Sequence, residues 1–134
     1  MSESTERSYL RRQLEAHLTE LGYSCERAKR ADTVVPEIVR ISPVRGRIAY
    51  GETVLRGDLR RRSCHERLLS FSQRRTRRHS SILFFIGVAE ADEPDIEALL
   101  QQLDIRNGIR GGHVRVVAFA VGTGRRRRAR AVSG

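Results

Sequence analysis

Two glutamates stand in apolar stretches on either side of a predicted tight turn. Glu37 belongs to Val-Val-Pro-Glu-Ile-Val, and Glu52 belongs to Ala-Tyr-Gly-Glu-Thr-Val. Residues 42–46, Ser-Pro-Val-Arg-Gly, carry the proline and glycine that are typical of a turn. If residues 43–46 form a four-residue loop, the paired positions of the hairpin add up to 89, as 37 and 52 do. The two glutamates would then face each other directly across the hairpin.

Two acids in this arrangement need a compensating charge. Like charges directly opposite each other destabilise a sheet, and burying them among apolar side chains adds to the cost. A divalent cation is the simplest compensation, because carboxylate oxygens are the ligands that Mg²⁺ and Mn²⁺ prefer. The pattern therefore predicts a metal site formed by Glu37 and Glu52.

Two alternatives remain open from the spacing alone. A three-residue loop with Gly46 in a left-handed conformation would shift the register by one and put the acids on opposite faces. The acids could also form ordinary ion pairs with Arg40, Arg47 or Arg56.

Hydrophobic periodicity predicts the element order αβββαβαβ. A three-stranded meander followed by alternating helices and strands favours a mixed central sheet flanked by helices. We expect one α/β domain over residues 1–121 and a disordered arginine-rich tail over residues 122–134. The predicted elements are a helix over 5–21, strands over 23–27, 34–41 and 47–54, a helix over 59–74, a strand over 81–88, a helix over 92–103 and a strand over 114–121.

Positive charge is concentrated in the middle of the chain. Residues 56–78 hold nine arginines and two acids, which is a net charge of +7 out of +10 for the whole sequence. The planar guanidinium suits two-point contacts with phosphate oxygens, so these residues and the tail predict salt-dependent nucleic-acid binding that is largely blind to sequence. The candidate phosphate-binding residues are Arg60, Arg61, Arg62, Arg67, Arg74, Arg75, Arg77, Arg78, Arg125, Arg126, Arg127 and Arg128. The alternatives are a solvated helix face and a protein–protein module whose arginines meet an acidic partner.

Other function classes find little support in the sequence. The longest apolar run, residues 82–88, is too short to span a membrane, and the polar N-terminus does not resemble a signal peptide. Cys25 and Cys64 have no metal-ligand spacing, so we expect buried or free thiols in a reducing, cytoplasmic setting. A cysteine nucleophile at Cys64 is disfavoured, because His65 has no second histidine in a convincing position.

The acids and the element order together resemble the restriction-endonuclease-like, PD-(D/E)XK nuclease superfamily. The core of that fold is αβββαβ, with an acid after a proline on the second strand and an (Asp/Glu)-x-Lys motif on the third. Here Pro36-Glu37 stands in the place of Pro-Asp, and residues 51–59 resemble the Gly-Glu-x-Lys-x-x-x-Asp-Leu run of many small members. The resemblance covers about residues 5–121.

The resemblance implies a metal-dependent phosphodiesterase that acts on nucleic acid, with DNA as the expected substrate. Glu37 and Glu52 would hold Mg²⁺ or Mn²⁺, with the backbone carbonyl of Thr53 as a third ligand and Glu15 on the first helix as a further one. The ion would activate water and neutralise charge on the phosphate. Because small members of this fold often dimerise, a homodimer also fits the resemblance.

One position departs from the family pattern. Val54 occupies the place of the motif lysine, and valine can neither position a nucleophilic water nor offset phosphate charge. Lys29 is the only lysine, so a substitute would be Lys29, Arg40 or Arg56. Arg56 lies four residues past Glu52 and on the same face if the strand continues; it could stabilise charge but not act as a base. Two hypotheses follow: a catalytically silent member that binds nucleic acid without cutting it, and a nuclease in which a basic residue at another position replaces the motif lysine. The first is slightly favoured.

Overall fold

The chain folds as one mixed sheet with helices on both faces. The computed structural model describes residues 2–26, 34–44, 46–75, 82–105 and 112–121. Within these ranges the helices are α1 (Glu3–Glu20), α2 (Arg62–Gln73) and α3 (Glu93–Gln102), with short 3₁₀ helices at Arg56–Arg60 and Glu90–Asp92. The strands are β1 (Cys25–Glu26), β2 (Ile38–Ile41), β3 (Ile48–Thr53), β4 (Leu83–Ala89) and β5 (Val114–Phe119). The predicted order αβββαβαβ and the α/β fold class are confirmed.

The strands lie in the sheet in their sequence order. β1, β2 and β3 form an antiparallel meander, whereas β3, β4 and β5 are parallel to one another. α2 connects β3 to β4, and α3 connects β4 to β5, as crossover connections between parallel strands require. The predicted tail over residues 122–134 lies outside the described residues.

α1 covers one face of the sheet. Its buried stripe, Leu10, Leu14 and Leu18, repeats every four residues. The side chain of Ser2 caps the N-terminus by accepting a hydrogen bond from the Thr5 amide at 3.2 Å. Gly22 ends the helix with φ of 99°, and the amide of the next residue, Tyr23, donates back to the Leu18 carbonyl at 2.9 Å. The predicted stop at Gly22 is therefore confirmed.

α2 and α3 cover the opposite face. Leu68 and Phe71 of α2 are buried with Ile96 and Leu100 of α3. β4 lies between the two layers, since Phe85 packs toward α1 while its neighbours in the strand pack toward α2 and α3. This double burial explains the continuous apolar run of the sequence. Among the described residues, no helix has both the length and the hydrophobicity needed to cross a membrane.

The β2–β3 hairpin has the predicted register. Ile41 pairs with Ile48, and the Ser42 amide donates to the Arg47 carbonyl at 2.8 Å, so paired positions add up to 89. Gly46 does adopt a left-handed conformation, with φ of 67°, but within the four-residue loop. β2 begins at Ile38 rather than at residue 34, because Pro36 has no N–H to donate to a strand ladder.

The close approach of α1 to the hairpin depends on a missing side chain at Gly51. A Cβ there would lie 3.1 Å from Leu14 of α1 and 3.1 Å from the Ile38 Cβ of β2. We expect Gly51→Ala to lower the free energy of unfolding by about 1–3 kcal/mol through overpacking. Urea unfolding measures the change. Gly57→Ala is the control, since the nearest atoms to its Cβ belong to the far ends of two exposed, flexible side chains, Glu3 and Arg61. Equal stability of the two variants would contradict this account of the contact.

Candidate functional site

The two predicted acids meet at the end of the hairpin. The side chains of Glu37 and Glu52 are only 12% and 5% exposed, and they share a hydrogen bond. Two carboxylates can share a hydrogen bond only if one of them is protonated. Burial, followed by the contact with Glu37, raises the pKa of Glu52 to about 8. The predicted meeting of the two acids is confirmed, and at neutral pH a proton neutralises part of their charge.

Glu37 is held from β3 and from α1. Its carboxylate accepts hydrogen bonds from the Thr53 amide at 2.9 Å and from the Thr53 hydroxyl at 2.6 Å. Arg11 of α1 donates to Oε2 at 3.1 Å. Burial opposes ionisation, but the hydrogen bonds from Glu52 and Thr53 keep the pKa of Glu37 below its ordinary value. Glu37 is therefore the acid that carries the negative charge of the pair.

Glu52 is paired with an arginine from α2. Arg67 donates both Nε, at 2.9 Å, and Nη2 to the single oxygen Oε1 of Glu52. Nη2 also donates to the Val35 carbonyl at 3.0 Å, and the guanidinium carbon lies 5.0 Å from the centre of the Phe71 ring. Three different groups therefore fix the guanidinium of Arg67 over Glu52.

Arg7 of α1 forms a second network beside the first. Its Nη1 donates to the backbone carbonyl of Thr53 at 3.1 Å, and its Nη2 donates to Oδ2 of Asp58 at 2.7 Å. Asp58 is buried, accepts from the Leu55 amide at 2.9 Å, and receives Arg61 on its other oxygen at 2.6 Å. The Thr53 carbonyl, predicted as a metal ligand, thus accepts a hydrogen bond from a guanidinium.

These groups surround an open cleft of about 170 Å³. Val54 lies in its wall and is buried, so the position that the resemblance assigns to lysine does face the cleft. Burial raises the pKa of the Cys64 thiol to about 11, which removes it as a nucleophile at neutral pH. The lining residues are Arg7, Glu37, Glu52, Thr53, Val54, Asp58, Arg61, Ser63, Cys64, Arg67 and Leu68.

Two predicted site residues lie away from the cleft lining. Glu15 accepts a hydrogen bond from Arg40 at 3.3 Å, and that ion pair does not belong to the lining. Arg56 does not continue the face of Glu52, because β3 ends at Thr53 and a 3₁₀ helix follows. Its guanidinium instead donates to Asp92 at 3.0 Å.

The predicted basic residues separate into two groups. Arg61 and Arg67 line the cleft and are paired with acids, whereas Arg60, Arg62 and Arg75 are exposed. Arg74 packs over the ring of Phe71, with its guanidinium carbon 4.9 Å from the ring centre. The other predicted phosphate-binding residues lie outside the described residues: Arg77, Arg78, Arg125, Arg126, Arg127 and Arg128, together with the candidate lysine substitute Lys29.

Sequence reasoning missed the arginines that actually touch the acids. Neither of the two cationic substitutes that the structure describes, Arg40 and Arg56, contacts Glu52; Arg67 does. Arg7 and Arg11 were missed although a signal exists. They are spaced four residues apart and flank the stripe that begins at Leu10, so both reach the same edge of the sheet.

Comparisons with known proteins add no family. No family model, curated protein or solved structure matches this chain. Within the described ranges, the His, Cys, Asp and Glu side chains form no group of three or more that could hold a metal ion. The contacts of the cleft are therefore the basis for any functional proposal.

The shared proton makes the stability of the fold depend on pH. Folding raises the pKa of Glu52 from 4.5 to about 8, so between these values the folded state binds more protons than the unfolded state. The free energy of unfolding should therefore fall as pH rises from about 5 to about 8, by at most about 1.4 kcal/mol per pH unit. The pKa of Glu37 is lowered by folding, so its contribution to the free energy of unfolding changes below this pH window. That contribution increases as pH rises, which is opposite to the contribution of Glu52.

Urea unfolding of the wild type and Glu52→Gln across that window tests this expectation. Glutamine resembles the protonated acid, so the variant should lose the fall in stability with pH. Glu66→Gln, at an exposed position of α2, is the control and should keep it. Parallel pH profiles for the wild type and Glu52→Gln would show that the acids do not share a proton.

Proposed function

We propose that this chain binds nucleic acid through its arginines and does not cut it. The observation that carries the proposal is the charge arrangement of the cleft. Glu37, Glu52 and Asp58 are all paired with arginines or with each other, while further arginines stand exposed beside the cleft. The acids are neutralised inside, and the surplus positive charge faces solvent, where a phosphate backbone would meet it.

The N-terminal turn of α2 supports phosphate binding at this place. Ser63 and Cys64, at the start of α2, line the cleft together with Arg61, which precedes the helix. The positive end of the helix dipole therefore lies at the cleft. Arg60 and Arg62, exposed on either side of Arg61, extend the basic surface along the same segment.

Among the residues that the structure describes, no lysine lines the cleft, and this favours binding over hydrolysis. Val54 is 2% exposed and packs with Leu68 in the core. Its side chain is uncharged, so it cannot offset the charge of a phosphate as the motif lysine would. An arginine cannot replace a lysine as a proton acceptor, because the guanidinium keeps its proton. The element order and the strand pairing support the idea of a silent relative of the restriction-endonuclease-like nucleases.

A metal-dependent phosphodiesterase is the second candidate. The observation that favours it is the convergence of Glu37 and Glu52 in an open cleft, a position that Mg²⁺ or Mn²⁺ could use. The third candidate, a module for an acidic protein partner, shares the exposed arginines but needs no cleft.

Binding to random-sequence duplex DNA distinguishes the first candidate from the third. Fluorescence anisotropy should show an affinity that falls at least ~10-fold between 50 and 200 mM salt, as expected when several phosphates are neutralised. Arg60→Glu/Arg62→Glu should weaken binding and flatten the salt dependence. Arg47→Glu, at the turn end of the hairpin away from Glu52, is the control. A double variant that binds as tightly as the control would contradict DNA binding at Arg60 and Arg62, and no DNA binding at physiological salt would favour the acidic-partner module.

Incubation with supercoiled plasmid and Mn²⁺ tests whether the chain lacks nuclease activity. The wild type should leave the plasmid intact, because neither a lysine nor another residue that can accept a proton readily lies at position 54. A parallel Glu52→Gln sample separates the chain's own activity from a contaminating nuclease. Cutting by the wild type that Glu52→Gln abolishes would replace this proposal with the phosphodiesterase.

A further inference from the structure

We infer that two guanidiniums, those of Arg67 and Arg7, take the place of a divalent cation in this cleft, and that removing Arg67 uncovers a latent metal site. In the wild type these two guanidiniums contact Glu52 and the Thr53 carbonyl as fixed internal cations, independently of any nucleic acid.

The contacts fall on two of the predicted ligand groups. Oε1 of Glu52 receives two N–H groups of Arg67, and the Thr53 carbonyl receives Nη1 of Arg7. A metal ion that used these two oxygens would have to approach them to within about 2.0–2.6 Å. With a guanidinium at hydrogen-bond distance, the approach is blocked and also opposed by like-charge repulsion.

Both guanidiniums are held in place by groups other than the acids. Arg67 also donates to the Val35 carbonyl and packs against the Phe71 ring. Arg7 is anchored by Asp58, which the Leu55 amide and Arg61 hold in turn. Within the described residues, every buried side-chain nitrogen and oxygen has a hydrogen-bond partner, so none of these atoms needs an ion to satisfy it.

The two arginines come from opposite sides of the sheet. Arg7 reaches the end of the hairpin from α1, and Arg67 reaches it from α2. With Arg67 on Glu52 and Arg7 lying 3.7 Å from Oε1 of Glu37, and with Arg11 also bound to Glu37, fixed internal charges do part of what a bound cation would do for the two facing carboxylates. Arginine suits this role better than lysine, because its fork can hold an oxygen by two N–H groups and it does not lose its proton on burial.

The test measures Mn²⁺ binding by the full chain without nucleic acid, at pH 8, by calorimetry and by thermal melting. Arg67→Met keeps a long apolar stem beside Phe71 but removes the charge from Glu52. We expect it to bind Mn²⁺ at least ~10-fold more tightly than the wild type, the size of effect that one adjacent charge has on a carboxylate. Its melting temperature should rise with Mn²⁺, whereas that of the wild type should not.

Two controls separate the cleft from general electrostatics. Arg12→Met removes the same charge from an exposed position of α1 and should bind Mn²⁺ no more tightly than the wild type. Arg67→Met/Glu52→Gln should lose the gained affinity, because Glu52 would be the ligand that Arg67 covers. If Arg67→Met is unfolded without metal, Mn²⁺ should restore its helical circular dichroism.

Several outcomes would overturn the inference. The first is saturable Mn²⁺ binding by the wild type that Glu52→Gln abolishes, at an affinity equal to that of Arg67→Met. The others are a folded Arg67→Met with no gain in affinity, and an Arg67→Met chain that stays unfolded in millimolar Mn²⁺. DNA binding measured separately in EDTA tells a failure of this inference apart from a failure of the proposed function.

Discussion

The structure depends on how it neutralises two facing carboxylates at the end of one hairpin. The register that pairs Ile41 with Ile48 brings Glu37 and Glu52 together, and their burial would be unfavourable without compensation. One shared proton and the guanidiniums of Arg11 and Arg67 supply it. Because these arginines belong to α1 and α2, the charge balance at the hairpin requires both helices to be docked on the sheet. Site and fold therefore stabilise each other.

The parts that sequence reasoning predicted correctly have local causes. The four-residue turn and the register follow from the turn residues at 42–46 and from the alternation of apolar positions on either side. Gly22 ended a helix because a left-handed residue is needed there. The apolar run of β4 indicated burial on both faces. Each of these signals depends on a few neighbouring residues, so a single sequence contains it.

The partners of the acids could not be predicted in the same way. Arg67 lies 15 residues from Glu52 and Arg7 lies 46 residues from Thr53, in a chain where all but one of the 26 basic residues are arginine. Spacing along the strand favoured Arg56 as the partner of Glu52. The strand ends at Thr53, however, and a turn follows in which the Asp58 carboxylate accepts a hydrogen bond from the Leu55 amide. Tertiary packing, in particular the stacking of Arg67 on Phe71, decides which arginine reaches Glu52.

Val54 and the arginines of the cleft are linked by charge. A cation at position 54 would stand in a cleft that three arginines already line, against three acids of which one pair shares a proton. Three guanidiniums against two carboxylate charges leave the cleft weakly positive, so a further cation there would be repelled. An apolar residue at 54, packed against Leu68, is the choice that agrees with this balance. The valine and the fixed guanidiniums therefore belong to a single electrostatic arrangement, in which the cleft residues that the structure describes balance the buried acids without a cation at position 54.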